Sequence, residues 1–365
     1  MALINVIIPV YNAQKYLYDA VNSVLDQPYK GIDIILVDDG STDDSSTLCD
    51  QIAMHESCVA VIHQENRGVS AARNAGIEYV LAHNADNPEG YIAFLDADDL
   101  WIPNTITTNI KKMLLSDNKI DVYAFGGVGC DQYVNRFSVP KTYTKRQCNG
   151  DSQVIWQMEC HFCANFYSIR LFLKWDIRFF NGLKYSEDKI FQMQCVFLSE
   201  KVQFMPQLLH IYRNSLDSAM DKARSISRIT YYIPIIDGWI KSDEFINSWE
   251  GISHKHLRAG HILAGIYFMD MAADHYKTYG KHEDIMTVFQ EHPYYYLFEQ
   301  MKPEDVSAKQ YKNHYLLLKH PQIFKLKYNI IGMAEYAFRL ILKIPLINSL
   351  RMQKKYPLLV LPSDK

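Results

Sequence analysis

The run IDIILVDDG, residues 32–40, decides the reading of the fold. Five of its first six residues are apolar, most of them β-branched, and it stops at two aspartates and a glycine. A continuous apolar run of this length predicts a strand buried on both faces, and Gly40 marks its end. INVIIPV (4–10) has the same pattern upstream, and VAVIHQ (59–64) and GYIAFLDADD (90–99) follow it downstream. Between them lie segments with helical spacing. AQKYLYDAVNSVLDQ (13–27) puts Leu17, Val21, Val24 and Leu25 on one face. STDDSSTLCDQIA (41–53) opens with helix-start residues, and GVSAARNAGIEYVLAH (68–83) is rich in small ones. Strands alternating with helices predict an α/β domain, a Rossmann-like, mostly parallel sheet flanked by helices. In such sheets ligands bind beyond the carboxyl ends of the strands. Asp38 and Asp39 fall at one such end, and Asp96 and Asp98 at another.

Beyond residue 120 the pattern is mixed. DVYAFGGVG (121–129) and VQFMPQLLHIYR (202–213) read as extended, and SEDKIFQMQCVFLSE (186–200) reads as a helix with an acidic start. From about 221 the strand signals fade, and segments 254–280 and 328–343 have amphipathic helical spacing. The expected organisation is a domain over 1–220, with halves 1–110 and 111–220, followed by a mainly helical C-terminal appendage over 221–365. Two domains suit a chain of 365 residues, and 48% hydrophobic content suits a sizeable core.

The net charge of −3 conceals a polarity. Residues 1–120 hold 7 Lys/Arg against 17 Asp/Glu, a balance of −10, whereas residues 309–365 hold 11 against 2, a balance of +9. Seven scattered cysteines read as reduced thiols of a cytoplasmic protein. Cys160 and Cys163 form a single C-x2-C without the second pair a structural zinc site requires. The opening MALINVIIPVYN has no basic leader, and no stretch reaches the roughly 18 apolar residues of a membrane span.

Asp96 and Asp98, two apart at an expected strand end, would project to one side and suit Mg2+ or Mn2+. The competing assignment is an exposed turn with a solvated cap. Asp99 reads as a helix-start or structural residue rather than a third ligand. Arg67 and Arg73 in ENRGVSAARNAG are placed to meet phosphate oxygens, or else to form surface salt bridges. The phosphate-binding signatures of other folds are missing. There is no G-x-x-x-x-G-K-[ST], and GGVGC (126–130) does not complete G-x-G-x-x-G because Gln132 takes the last position.

VIIPVYNAQKYLYDAVNSVLDQ, DIILVDDGSTDDS, ENRGVSAARNAGI and YIAFLDADDLW, in this order over about 4–104, together resemble the nucleotide-binding half of family 2 glycosyltransferases of the GT-A fold. More weakly, GLKYSEDKIF resembles the family's Glu-Asp motif and YRNSLDSAM its closing segment. The resemblance implies an inverting, metal-dependent transfer from a nucleotide sugar, UDP-linked by this likeness, to a glycan or lipid-linked glycan. It implies that Pro9, Tyr11 and Asn12 begin the loop around the nucleotide, and that Asp39 beside Asp38 reads the uracil ring. Arg73 would lie near the base and diphosphate, Asp96 would face ribose and metal, and Asp98 would bind the metal. Asp188 would be the base, with Glu187 its neighbour, unless it merely caps its helix. Arg213 and Ser218 would belong to a flexible segment closing over the diphosphate. The stretch WQMECHFCANFY (156–167) has no counterpart in the family pattern, so the acceptor stays open. A catalytically silent sugar-nucleotide-binding protein and a sugar-phosphate nucleotidyltransferase are the alternatives. The latter would carry a Gly-rich basic loop where this chain has PVYNAQKY.

The basic tail, with Arg339 and Lys343 interrupting its apolar run, suits either the interface of an anionic membrane or packing on protein, including a second copy of the chain. Nucleic acid is not among the expected partners. The expected location is the cytoplasm, at the inner face of the membrane if the tail binds lipid.

Overall fold

The computed structural model describes residues 3–84, 88–107, 110, 114, 120–131, 133–134, 137–138, 140–148, 162–183, 187–214, 241, 272–273, 276, 290–291, 295–300, 302–303 and 308–342. The chain divides into two compact units, one built on Met1–Ser215 and one on Leu216–Lys355.

The first unit is an α/β layer structure. Strands β1 (Ile4–Val10), β2 (Ile32–Asp39), β3 (Val59–Gln64) and β4 (Tyr91–Phe94) lie side by side in the order β3-β2-β1-β4, all parallel. Helices α1 (Leu17–Leu25), α2 (Ser45–His55) and α3 (Val69–His83) connect them. Alternate residues explain why. Ile4, Val6, Ile8, Ile34 and Leu36 join Leu17, Val21, Cys49 and Ile52 in one buried cluster on the α1/α2 face. On the other face α3 comes so close to β1 that a Cβ at Gly76 would collide with Ile7. Both faces are covered, so the strands are continuous apolar runs.

Past β4 the sheet turns mixed. β5 (Leu100–Trp101), β6 (Val122–Asp131), β7 (Arg146–Cys148), β8 (Asn165–Ser168) and β9 (Val202–Asn214) extend the order to β4-β8-β6-β9-β5, with β7 also on β9. β8 runs antiparallel to both neighbours, whereas β6 and β9 are parallel. α4 (Ile169–Trp175) follows β8, and α5 (Glu187–Phe197) precedes β9.

One expected boundary moves. The strand read over 90–99 ends at Phe94, and Asp96–Asp99 form a turn closed by the Asp99 N–H on the Asp96 carbonyl at 2.9 Å. Leu95 and Ala97 are buried, which disguised the turn as strand.

Among the described residues the second unit is helical: α6 (Tyr295–Glu299), α7 (Ala308–Lys319) and α8 (Pro321–Leu342). Pro321 sits in the first turn of α8, where its missing N–H costs nothing, so this helix begins earlier than the expected 328. Asn313 of α7 donates to the Tyr328 hydroxyl at 3.0 Å and accepts from Lys327 at 2.7 Å, joining α7 to α8. The expected helix over 254–280 lies largely outside the described residues. No helix among the described residues is long and apolar enough to cross a membrane.

Candidate functional site

The carboxyl ends of β2, β1 and β4 stand side by side, with Val10 of β1 opposite Asp38 and Ile7 opposite Phe94. Both aspartate clusters therefore flank the loop that leaves β1. That loop begins at half-buried Pro9, still in the strand, and continues through Tyr11, which is 52% exposed. Asn12 takes the left-handed conformation, φ 50°, that asparagine tolerates. Its side-chain oxygen accepts the Thr42 N–H at 2.8 Å and the Asp43 N–H at 3.3 Å, and its own N–H donates to the Ser41 hydroxyl at 3.1 Å. Ala13 N–H donates to Ser45 Oγ at 2.8 Å. The β1–α1 and β2–α2 loops are thus stitched into one rim.

Asp38 and Asp39 are both buried and point to opposite faces of the sheet. Asp38 turns toward α2, accepts the Ser41 N–H at 3.1 Å and meets His63 at 3.1 Å. Burial alone would raise its pKa, but bonds from Ser41, His63 and Ser46 hold it below the usual carboxylate range. Asp39 turns toward α3. It accepts Gln64 Nε2 at 2.6 Å, the Arg67 N–H at 2.9 Å and the Gly68 N–H at 2.8 Å, and so anchors the loop that starts α3. Gly40 follows at φ 68°, and a Cβ there would come within 2.8 Å of the Asn66 backbone nitrogen. Arg67 is exposed and donates to Gln64 Oε1 at 3.1 Å.

Arg73, expected near the base and diphosphate, is buried among acidic and aromatic side chains. It is only 3% exposed. One terminal nitrogen donates to Asp96 at 2.7 Å and the other to Glu187 at 2.9 Å. Its guanidinium lies over the rings of Phe162, at 4.5 Å, and Phe179, at 5.2 Å. Asn74 pins Phe179 by a reciprocal pair, donating to its carbonyl and accepting its N–H, both at 2.8 Å. Phe179 in turn stacks on Phe191 at 3.9 Å. Burial opposes the charge on Arg73, and Asp96 and Glu187 more than offset that opposition. The sequence motif around Arg73 therefore serves to join the Asp96 turn to the start of α5. Burial, and the charge of Asp188 beside it, raise the Glu187 pKa. Asp188, half-buried in the first turn of α5, accepts the Lys189 N–H at 2.7 Å.

Asp98 is crowded by its own kind. Burial first, then the charges of Asp99 and Asp96, push its carboxyl up to about 7. Asp99 is fully enclosed and structural. It accepts the Arg213 N–H at 2.8 Å and pairs with His210 Nε2 at 2.8 Å. Burial lowers the His210 pKa to about 4 and raises that of Asp99, which the Arg213 N–H and charge oppose. Arg213 Nε also donates to the Asp98 carbonyl at 2.8 Å, and its guanidinium lies 4.8 Å from the Tyr16 ring. At the end of β9, Arg213 is thus tied to the acidic turn. Ser218 lies outside the described residues. His210 and Asn74 were missed from sequence; His210 sits three residues before Arg213, both on β9 facing the same turn. Cys163 is buried, and burial raises its thiol pKa well above the ordinary value; Cys160 is outside the described residues. No group of three or more His, Cys, Asp or Glu arranged for a metal occurs among the described residues.

This edge, with its acidic turn and its two stitched loops, lies within the segment that matches a family model. Residues 5–172 match the model described as glycosyl transferase family 2. The glycosyltransferase GlyG of Streptococcus pneumoniae serotype 4 is 30% identical over 231 residues, which cover 60% of this chain and 73% of GlyG. The chain belongs to the family 2 glycosyltransferases. Another relative, glycosyltransferase GlyA of the same organism, is 31% identical over 220 residues, 58% of this chain but only 30% of GlyA. This glycosyltransferase thus spans about a third of that relative's length. Among solved structures, S. aureus TarS 1-349 in complex with UDP-GlcNAc superposes with a TM-score of 0.60 over 92% of each chain, at 18% identity. The shared property at that identity is the fold, a central sheet flanked by helices with a helical C-terminal region.

Proposed function

We propose that this glycosyltransferase moves a sugar from a UDP-linked donor to a hydroxyl of a glycan or glycolipid acceptor, by one displacement that inverts the anomeric centre. The observation that carries the reading is the Arg73 bridge. It ties Asp96 to Glu187 through one guanidinium, so the acidic turn after β4 and the acidic start of α5 act as one constellation. The UDP class rests on likeness to TarS, whose structures include complexes with UDP and UDP-GlcNAc.

Asp188 takes the proton of the acceptor hydroxyl as its oxygen bonds to the anomeric carbon, and the bond from that carbon to the diphosphate oxygen breaks. An α-linked donor then gives a β-linked product. Glu187, locked by Arg73, keeps the first turn of α5 oriented. Tyr11, exposed at the rim, offers a ring for the base, and Asp38 and Asp39 hold the loops around it. Asp96 and Asp98 suit Mg2+ or Mn2+: they are hard oxygen donors, and the negative charge crowding Asp98 is what a cation would relieve. Asp96 and Asp98 would hold the ion, which when bound would offset the charge that develops on the leaving group.

In the same reading the donor half is 1–110, the acceptor half 111–220 and the appendage 221–365. The appendage works at the cytoplasmic face of an anionic membrane. Ile323, Leu326, Ile330 and Met333, at 54%, 60%, 58% and 73% exposure, line one face of α8 in a region whose charge balance is +9. The test is a panel of nucleotide sugars, read by hydrolysis and by thermal stabilisation, with and without Mn2+. A UDP-sugar that stabilises and is turned over only with the ion supports the reading. Equal indifference to every nucleotide sugar contradicts it.

A further inference from the structure

We infer that His63 is a positioning residue of the donor site, clamping the β2–α2 loop by bridging Asp38 and Asp50. The inference rests on the nucleotide-sugar reading above for what the loop receives, but the clamp itself stands on geometry. His63 lies opposite Asp38 in the β2·β3 register. Its Nδ1 is 3.1 Å from Asp38 Oδ2, and its Nε2 is 3.0 Å from Asp50 Oδ1 on α2. Ser46 Oγ, also on α2, is 3.2 Å from Nδ1. A neutral imidazole carries one N–H. Here each ring nitrogen faces a carboxylate, an acceptor only, so both bonds are made at once by the imidazolium alone.

The clamp reaches the rim through a chain of contacts. His63 holds Asp38, and Asp38 Oδ1 accepts the Ser41 N–H at 3.1 Å. The Ser41 hydroxyl accepts the Asn12 N–H at 3.1 Å, next to exposed Tyr11. A charge on β3 thereby fixes the loop after β1. The groups at the ring are Asp38 from β2 and Ser46 and Asp50 from α2. Arg67, at the start of the α3 side, is engaged with Gln64 on the opposite face of β3. The ring is 42% exposed, and solvent can exchange its proton. Bonds to Asp50 and then Asp38 raise its pKa above the ordinary 6.5, and burial opposes them more weakly. The clamp is therefore complete below about 6.5 and is lost as pH rises through the raised midpoint.

The experiment compares the full chain with H63Q between pH 5.5 and 8.5, following the His63 ring by NMR and the affinity for UDP by calorimetry. The ionisation of UDP itself is common to both proteins and cancels in their ratio. The expected ring midpoint is above 6.5. At low pH, UDP binds wild type about tenfold more tightly than H63Q, the usual weight of a charged hydrogen bond, and the ratio falls toward one above the midpoint. Donor KM follows the same ratio while kcat stays level. A ring that titrates at or below 6.5, or a UDP ratio flat across the range, overturns the inference. Should wild type bind no UDP at any pH, the donor reading fails, and the positioning role falls with it; the ring titration still decides whether the clamp exists.

Discussion

Two clusters of aspartate end two strands of the same sheet and meet opposite electrostatic fates. Asp38 and Asp39, at the end of β2, are enclosed by donors: Ser41, His63, Gln64, Arg67 and Gly68. Asp96, Asp98 and Asp99, in the turn after β4, are enclosed partly by one another, and the Asp98 carboxyl is pushed up to about 7. The residue type is the same and so is the position beyond a parallel strand. Asp96 and Asp99 also find N–H partners, in Arg73, Arg213 and His210, and what differs is Asp98, crowded by burial and by the charges of Asp99 and Asp96. The first cluster holds loops, and in the second Asp98 is the carboxylate that the proposed cation would relieve.

The largest expected effect lies on the side of the second cluster. Asp188→Asn lowers turnover about 10²–10⁴-fold while leaving UDP affinity nearly unchanged, as single-turnover kinetics beside calorimetry would show. A collapse of donor affinity with turnover of bound donor preserved would make Asp188 structural. Next comes Arg73→Ala. It leaves Asp96 and Glu187 without their shared partner and costs about 3–5 kcal/mol in denaturant unfolding. A loss below about 1 kcal/mol would mean that the bridge does not join the two acidic elements.

How far these residues were legible in the sequence follows the same division. The parallel half was legible because strands buried on both faces must be nearly continuous apolar runs, as β1 and β2 are, and edge strand β3 opens on four apolar residues. The depth of Arg73 was legible too. With Gly76, Ile77 and Val80 it shares one face of α3 at helical spacing, all of them buried. The anchoring of Asp99 was not legible. It depends on β5 pairing antiparallel with β9, which brings together residues 111 positions apart, Asp99 and His210. No local pattern encodes such a pairing, and none announces β8 entering antiparallel between β4 and β6.

A smaller effect sharpens the contrast between the clusters themselves. Asp39→Ala strands the Arg67 and Gly68 N–H groups and costs about 1–3 kcal/mol. Asp98→Asn removes a crowded charge and does not lower the stability of the metal-free protein. Equal losses in both variants, measured by urea unfolding in chelator, would erase the distinction. The smallest effect is a decline in thermal stability as pH rises through the His63 midpoint. The folded-state pKa is raised, so the stabilisation is present below about 6.5 and lost above the midpoint. The decline should be absent in H63Q, and a decline of equal size in both proteins would assign it elsewhere.

The central proposal is that Asp96 and Asp98 would hold a divalent ion that supports binding of the donor diphosphate. UDP affinity, titrated with and without Mn2+ in wild type and Asp98→Asn, tests it most directly. The account predicts tight binding to wild type only when Mn2+ is present, and weak, metal-indifferent binding to the variant. UDP binding to wild type that is unchanged by excess chelator would contradict it.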